Sequence, residues 1–85
     1  TEKVIEVKVR DGFAEKAEQL FLNSPKVDNV EREGNILMLY FPAEFDDEDF
    51  VMDTLVENSI KFSGIREVEG DLEDAFMQLT KGIVQ

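Results

Sequence analysis

The chain has 85 residues, 20 acidic and 9 basic, and so carries a net charge of −11. That length supports one domain with a modest core and little margin, so help from a partner domain or a second copy is expected. The charge opposes binding to nucleic-acid phosphates and anionic lipid. The lack of cysteine excludes disulfides and thiolate metal sites, and the lack of histidine removes the commonest general base and metal ligand.

The chain is 42% hydrophobic, too apolar for global disorder. Its longest apolar run, Ile36 to Phe41, falls far short of a membrane span, and no secretory-signal pattern opens the chain. The first element is "KVIEVKVR". Ile5, Val7 and Val9 share one face, with Glu6, Lys8 and Arg10 on the other, which predicts a half-buried strand. Asp11-Gly12 signals a turn. In "FAEKAEQLFLNSPKV", Phe13, Ala17, Leu20, Phe21 and Ser24 follow helical spacing, and Asn23-Ser24-Pro25 ends the helix.

"VDNVERE", "GN" and "ILMLYF" read as a hairpin, with Gly34-Asn35 tolerating positive φ at the turn. The nearly all-apolar arm Ile36 to Phe41 predicts a central strand, stopped by Pro42. "FDDEDFVMDTLVENSI" predicts a second helix, N-capped by Asp46 or Asp47, with Val51, Met52, Leu55, Val56 and Ile60 as its buried stripe. "KFSGIREVEG" is the last strand. Phe62 and Val68 share one parity and Ile65 has the other, so a bulge at Gly64 is expected to reset the face. The order β-α-β-β-α-β plus a final helix is the ferredoxin-like α+β plan, a four-stranded antiparallel sheet with two helices on one face.

Chemistry-bearing patterns are sparse. The acidic run Glu44 to Asp49 lacks the D-x-D-x-D spacing, glycine and twelfth-position Glu of a Ca²⁺ loop. It reads instead as a helix start, where negative charge meets the positive dipole end for ~0.3–1 kcal/mol per well-placed group. Ser24, Ser59 and Ser63 have no nucleophile context, and no G-x-x-x-x-G-K-[ST] loop occurs. An acylphosphatase-like anion loop would need more than Arg10 and one glycine after the first strand. Tyr40 and Phe41 alternate faces among acidic and apolar neighbours, which does not make an RNA-stacking platform.

The closing stretch "GDLEDAFMQLTKG" obeys every local helix rule. Asp71 can cap the first turn, and Asp74 can answer as the capping-box acid. Leu72, Ala75, Phe76 and Leu79 form one apolar stripe, and Gly82 stops the helix after Lys81. That stripe has to be covered, either by the domain's own sheet or by another domain.

Here the sequence resembles a known family. "LEDAFMQLTKG" is similar to the "LEDVF…LTG" ending of ATP-binding subunits of ABC transporters of the ABC-2-type exporter group. The specific positions are Leu72, Glu73, Asp74, Phe76, Leu79, Thr80 and Gly82; the preceding residues match in pattern the small accessory domain that follows the nucleotide-binding domain there. Ala75 stands where Val is usual, and Gly70-Asp71 replaces Pro-Ser or Pro-Thr. The resemblance implies a non-catalytic interaction or regulatory domain, with no cofactor of its own, in a cytoplasmic subunit held at the membrane by the transporter. ATP and magnesium would bind the missing upstream part, and Thr1 at the start agrees with an excised domain. The partners it implies are the nucleotide-binding domain of the same protein, a second copy, and indirectly the membrane subunit. The alternative is a free-standing ferredoxin-like sensor of small molecules; an autonomous enzyme is a third class with little in the residues to carry it.

Phe76→Ala is expected to destabilise the isolated domain by ~3–5 kcal/mol in chemical denaturation if the stripe packs on its own sheet, as for other buried aromatic truncations. Unchanged unfolding with weakened assembly onto the ATPase part would mark the stripe as a docking face for another domain.

Overall fold

A computed structural model describes residues 2–47 and 49–68. The predicted closing helix, with Leu72, Glu73, Asp74, Phe76, Leu79, Thr80 and Gly82, lies outside the described residues. The elements run β1 (Lys3–Val9), α1 (Ala14–Leu22), β2 (Asn29–Glu33), β3 (Ile36–Phe41), α2 (Phe50–Glu57) and β4 (Phe62–Val68). The sheet is antiparallel throughout, in the order β2-β3-β1-β4. This is the ferredoxin-like plan predicted from the sequence.

Strand alternation explains the core. In the β1–β3 register Ile5 opposes Leu39 and Val7 opposes Leu37. These residues, with Val9, Phe41 and Val30, face the two helices. Ala14, Ala17 and Phe21 from α1 and Val51 and Leu55 from α2 complete the cluster. No buried polar or charged residue occurs among the described residues, so the interior is held by apolar burial alone.

The turns use the residues predicted for them. Gly12 has φ +88° and Gly34 φ +61°, values that side chains with a Cβ rarely adopt. Asn35 then ties the hairpin to the first turn: its Nδ2 donates to Asp11 Oδ1 at 2.6 Å, and its carbonyl accepts from the Val9 amide at 2.9 Å.

β4 confirms the bulge. Lys8 opposes Gly64, yet Val9 opposes Phe62, so one extra residue sits on β4 at this point. The shift puts both Phe62 and Ile65 against the core despite their opposite parity. It also leaves Val68 opposite Val4, on the face away from the helices.

The second helix departs from the sequence reading. It starts at Phe50 behind Asp49, not behind Asp46 or Asp47, and Asp49 makes no side-chain capping bond. The reason is aromatic packing. Phe45 stacks on Phe41 with centroids 4.1 Å apart, and Phe50 meets both rings edge-on at 6.0 and 6.2 Å. Just before the helix, Asp47 is held by Lys26 Nζ at 3.3 Å, and its carbonyl accepts from the Phe50 amide at 3.2 Å.

The buried stripe of α2 is also narrower than predicted. Val51 and Leu55 are buried, but Met52 is 50% and Val56 63% exposed. A helix of two turns laid on one side of a sheet covers only its i, i+4 row. Ile60 reaches the core from beyond the helix end. Its amide donates to the Leu55 carbonyl at 2.9 Å and the Ser59 amide to that of Val56 at 3.1 Å, with Ser59 at φ +57°. This is a Schellman cap with a serine in the left-handed position that glycine usually takes.

Ser59→Gly is therefore expected to stabilise the domain by about 0.5–1 kcal/mol, the left-handed penalty less glycine's greater chain entropy. A lower midpoint in urea would contradict it.

Candidate interaction face

The helices cover one side of the sheet, and the residues of opposite parity make a second face. The pairing aligns them in three rows across all four strands. Val68, Val4, Tyr40 and Asn29 form the first, Arg66, Glu6, Met38 and Glu31 the second, and Gly64, Lys8, Ile36 and Glu33 the third. Val68, Val4 and Tyr40 make most of the first row apolar, Asn29 ends it, and Met38 and Ile36 continue the apolar groups down β3; charged groups flank them in the other two rows. Val4 is only 5% exposed although it lies on this face, and Ile36 is 37% exposed. Beside Ile36 and Met38, the β2–β3 side forms a shallow concavity of about 500 Å³ with Glu31, Arg32 and Glu33 on its walls.

Two polar contacts order the face. Arg66 Nε donates to Glu6 Oε1 at 2.8 Å, and its Nη2 reaches Oε2 at 3.5 Å. The hydrogen bond from Arg66 holds the Glu6 carboxyl below the usual carboxylate range, against the opposing effect of burial. The Tyr40 hydroxyl donates to Glu31 Oε1. Burial first, and then this bond and the Glu31 charge, push the Tyr40 phenol up to about 12.

The candidates of the sequence reading fall elsewhere. No group of acidic residues that could hold a metal ion occurs among the described residues. Within the acidic run, Asp47 pairs with Lys26, whose ammonium also sits 4.8 Å from the Phe50 ring centroid. Ser24 Oγ accepts from the Lys26 amide at 3.3 Å, and Ser63 Oγ donates to the Lys8 carbonyl at 3.4 Å. These serines act in turn and strand structure. Tyr40 and Phe41 do point to opposite faces, Phe41 into the core. The Val68–Val4–Tyr40 row was not singled out from the sequence, because it depends on which strands pair and in which register. The unused signal was Val4, an apolar residue on the wet parity of the first strand.

Among the described residues, this face carries apolar groups framed by carboxylates and the Arg66–Glu6 ion pair. Carboxylates flanking a single aromatic ring repel a phosphate backbone. No helix among the described residues is long and apolar enough to cross a membrane. Scanned against protein-family models and curated proteins, the chain matches none.

The tyrosine gives a direct test. Its phenolate absorbance is expected to titrate with a midpoint of about 12 in place of the ordinary 10.0. Because the folded value is the higher, the stabilisation is fully present below the unfolded pKa and is lost as pH rises through the folded one. Glu31→Gln should lower the midpoint while leaving it above the ordinary value, since burial is the larger cause. A midpoint at the ordinary value in the intact chain would remove Tyr40 from a covered environment.

Proposed function

We propose that this chain is a non-catalytic accessory domain of the ATP-binding subunit of an ABC-2-type exporter, acting through protein contacts to support or tune ATP-driven transport. The observation that carries the reading is the pattern Leu72-Glu73-Asp74, Phe76, Leu79-Thr80 and Gly82, placed directly after a βαββαβ domain. The sheet face that carries Tyr40 and the exposed Ile36 supports it, because a domain that works by contact needs apolar groups at its surface. On this reading the phosphate loop, the magnesium-binding acid and the signature sequence belong to an upstream domain. The subunit works in the cytoplasm, at the membrane surface, and this domain acts on the closing of the ATP-binding dimer or on its membrane partner.

The gene decides the reading first. An in-phase upstream reading frame with a phosphate loop and signature sequence is expected, and a gene that starts immediately before Thr1 overturns the assignment. In the parent protein, removing this domain is expected to change ATP-dependent dimerisation or hydrolysis without abolishing nucleotide binding. Unaltered dimerisation and hydrolysis would deny it a regulatory part. A melting temperature that climbs with the concentration of an amino acid or nucleotide would favour the sensor alternative, since only a ligand bound to the folded form shifts it that way.

A further inference from the structure

The sheet has two edge strands, and they differ. β4 carries the bulge, which interrupts the regular spacing that an added strand needs. β2 keeps an unbroken register with β3 from Asn29 to Glu33, and among the described residues β3 is the only strand it pairs with. The two-residue turn at Gly34-Asn35 makes Glu33 and Ile36 a hydrogen-bonded pair. By alternation Glu31 and Asn29 also bond β3, which turns the amides and carbonyls of Val30 and Arg32 toward the free edge. The Val9 amide on the Asn35 carbonyl sets the same parity, since it directs alternate residues of β3, counted from Asn35, to β1. Asn29, Glu31, Arg32 and Glu33 are exposed. Arg32 Nε lies 3.1 Å from Glu18 Oε1 of α1, which ties the edge strand to the helix. The concavity of about 500 Å³ runs along this strand, with Ile36 and Met38 in its lining beside Glu31 and Glu33.

We propose that the free edge of β2 takes up an extended segment of a partner protein as an added strand, with lysine or arginine at the positions facing Glu31 and Glu33. The backbone groups of Val30 and Arg32 supply the main-chain hydrogen bonds, and alternate side chains carry the selection. Residues two apart on the added strand fall on the side of the sheet away from the helices, beside Glu31 and Glu33, where opposite charges across strands attract. The aliphatic stems of lysine or arginine suit the Ile36 and Met38 part of the concavity, while their cationic ends stay with the carboxylates. A second copy is a poorer guest. The register that pairs all of β2 with itself sets the two Glu31 side chains directly opposite each other, and each chain carries −11. The carboxylates that keep copies apart thus select a cationic segment. The inference rests on the sheet edge alone and does not depend on the transporter reading.

Solution NMR on the full chain tests it, with an end-blocked peptide alternating lysine and threonine as the probe. Saturable shifts are expected at the Val30 and Arg32 amides and the Ile36 and Met38 methyl groups, with slower hydrogen exchange at those two amides. Glu31→Gln combined with Glu33→Gln should weaken binding about tenfold, through loss of two cross-strand charge pairs. A peptide with glutamate in place of lysine should not bind, and methylating the peptide nitrogens on the pairing side should abolish binding. Unchanged affinity in the folded double variant would overturn the inference. If that variant does not fold, the N-methylated peptide decides: binding as tight as the parent's would mean charge attraction without strand addition. Val30 and Arg32 amides already protected in the peptide-free monomer would mean that the chain covers its own edge. The same protection only in a dimer would make the guest a second copy, and either result overturns the proposal. Shifts confined to β4 or to the Val4 and Tyr40 face, or no saturable binding, would do so equally.

Discussion

The pairing of β1 with β3 at the centre of the sheet is the constraint on which the rest depends. Ile5 beside Leu39 and Val7 beside Leu37 put two continuous apolar rows on one face. Because side chains alternate with period two, a slip of one residue would turn both rows to the other side. The two glycine turns end β1 and begin β3, and Asn35 bridges them, so the turns and the apolar pattern specify the same register. With that register in place the helices have one face to cover, and they cover it with side chains that have no polar groups to satisfy.

Three phenylalanines adapt the plan to this sequence. Phe41 closes β3, Phe45 stacks on it, and Phe50 joins them as α2 begins, with Phe21 of α1 meeting Phe50 at 6.3 Å. Their packing gains outweigh the capping preference of the preceding aspartates, so α2 is short and its apolar stripe narrow. Met52 and Val56 consequently stay at the surface. Lys26 joins the same corner, covering the Phe50 ring while pairing with Asp47. Surface pairs of this type contribute little to stability on their own, and the aromatic contact is what locates the lysine.

The functional reading comes from two sources of different kind. The physical one is the second face of the sheet, apolar along Val68, Val4 and Tyr40 and charged at its margins. It is the surface on which the proposed contact role rests. The other is the lettering of residues 72–82, which resembles the ending of transporter ATPases. The apolar spacing and the capping residue types of that stretch follow local helix rules. The choice of transporter as parent rests on the lettering.

The sequence by itself determined the element order, the inward strand residues, the two glycine turns and the bulge near Gly64, because each follows from local periodicity or from backbone freedom at one residue. Only the tertiary structure decided where α2 starts, since ring packing among residues distant in the chain competes there with a local cap. It also decided that Met52 and Val56 stay outside, because burial depends on how much of a helix a sheet can cover. And it brought Val4, Tyr40 and Val68 into one row, since strand order and register are long-range properties that no single segment contains.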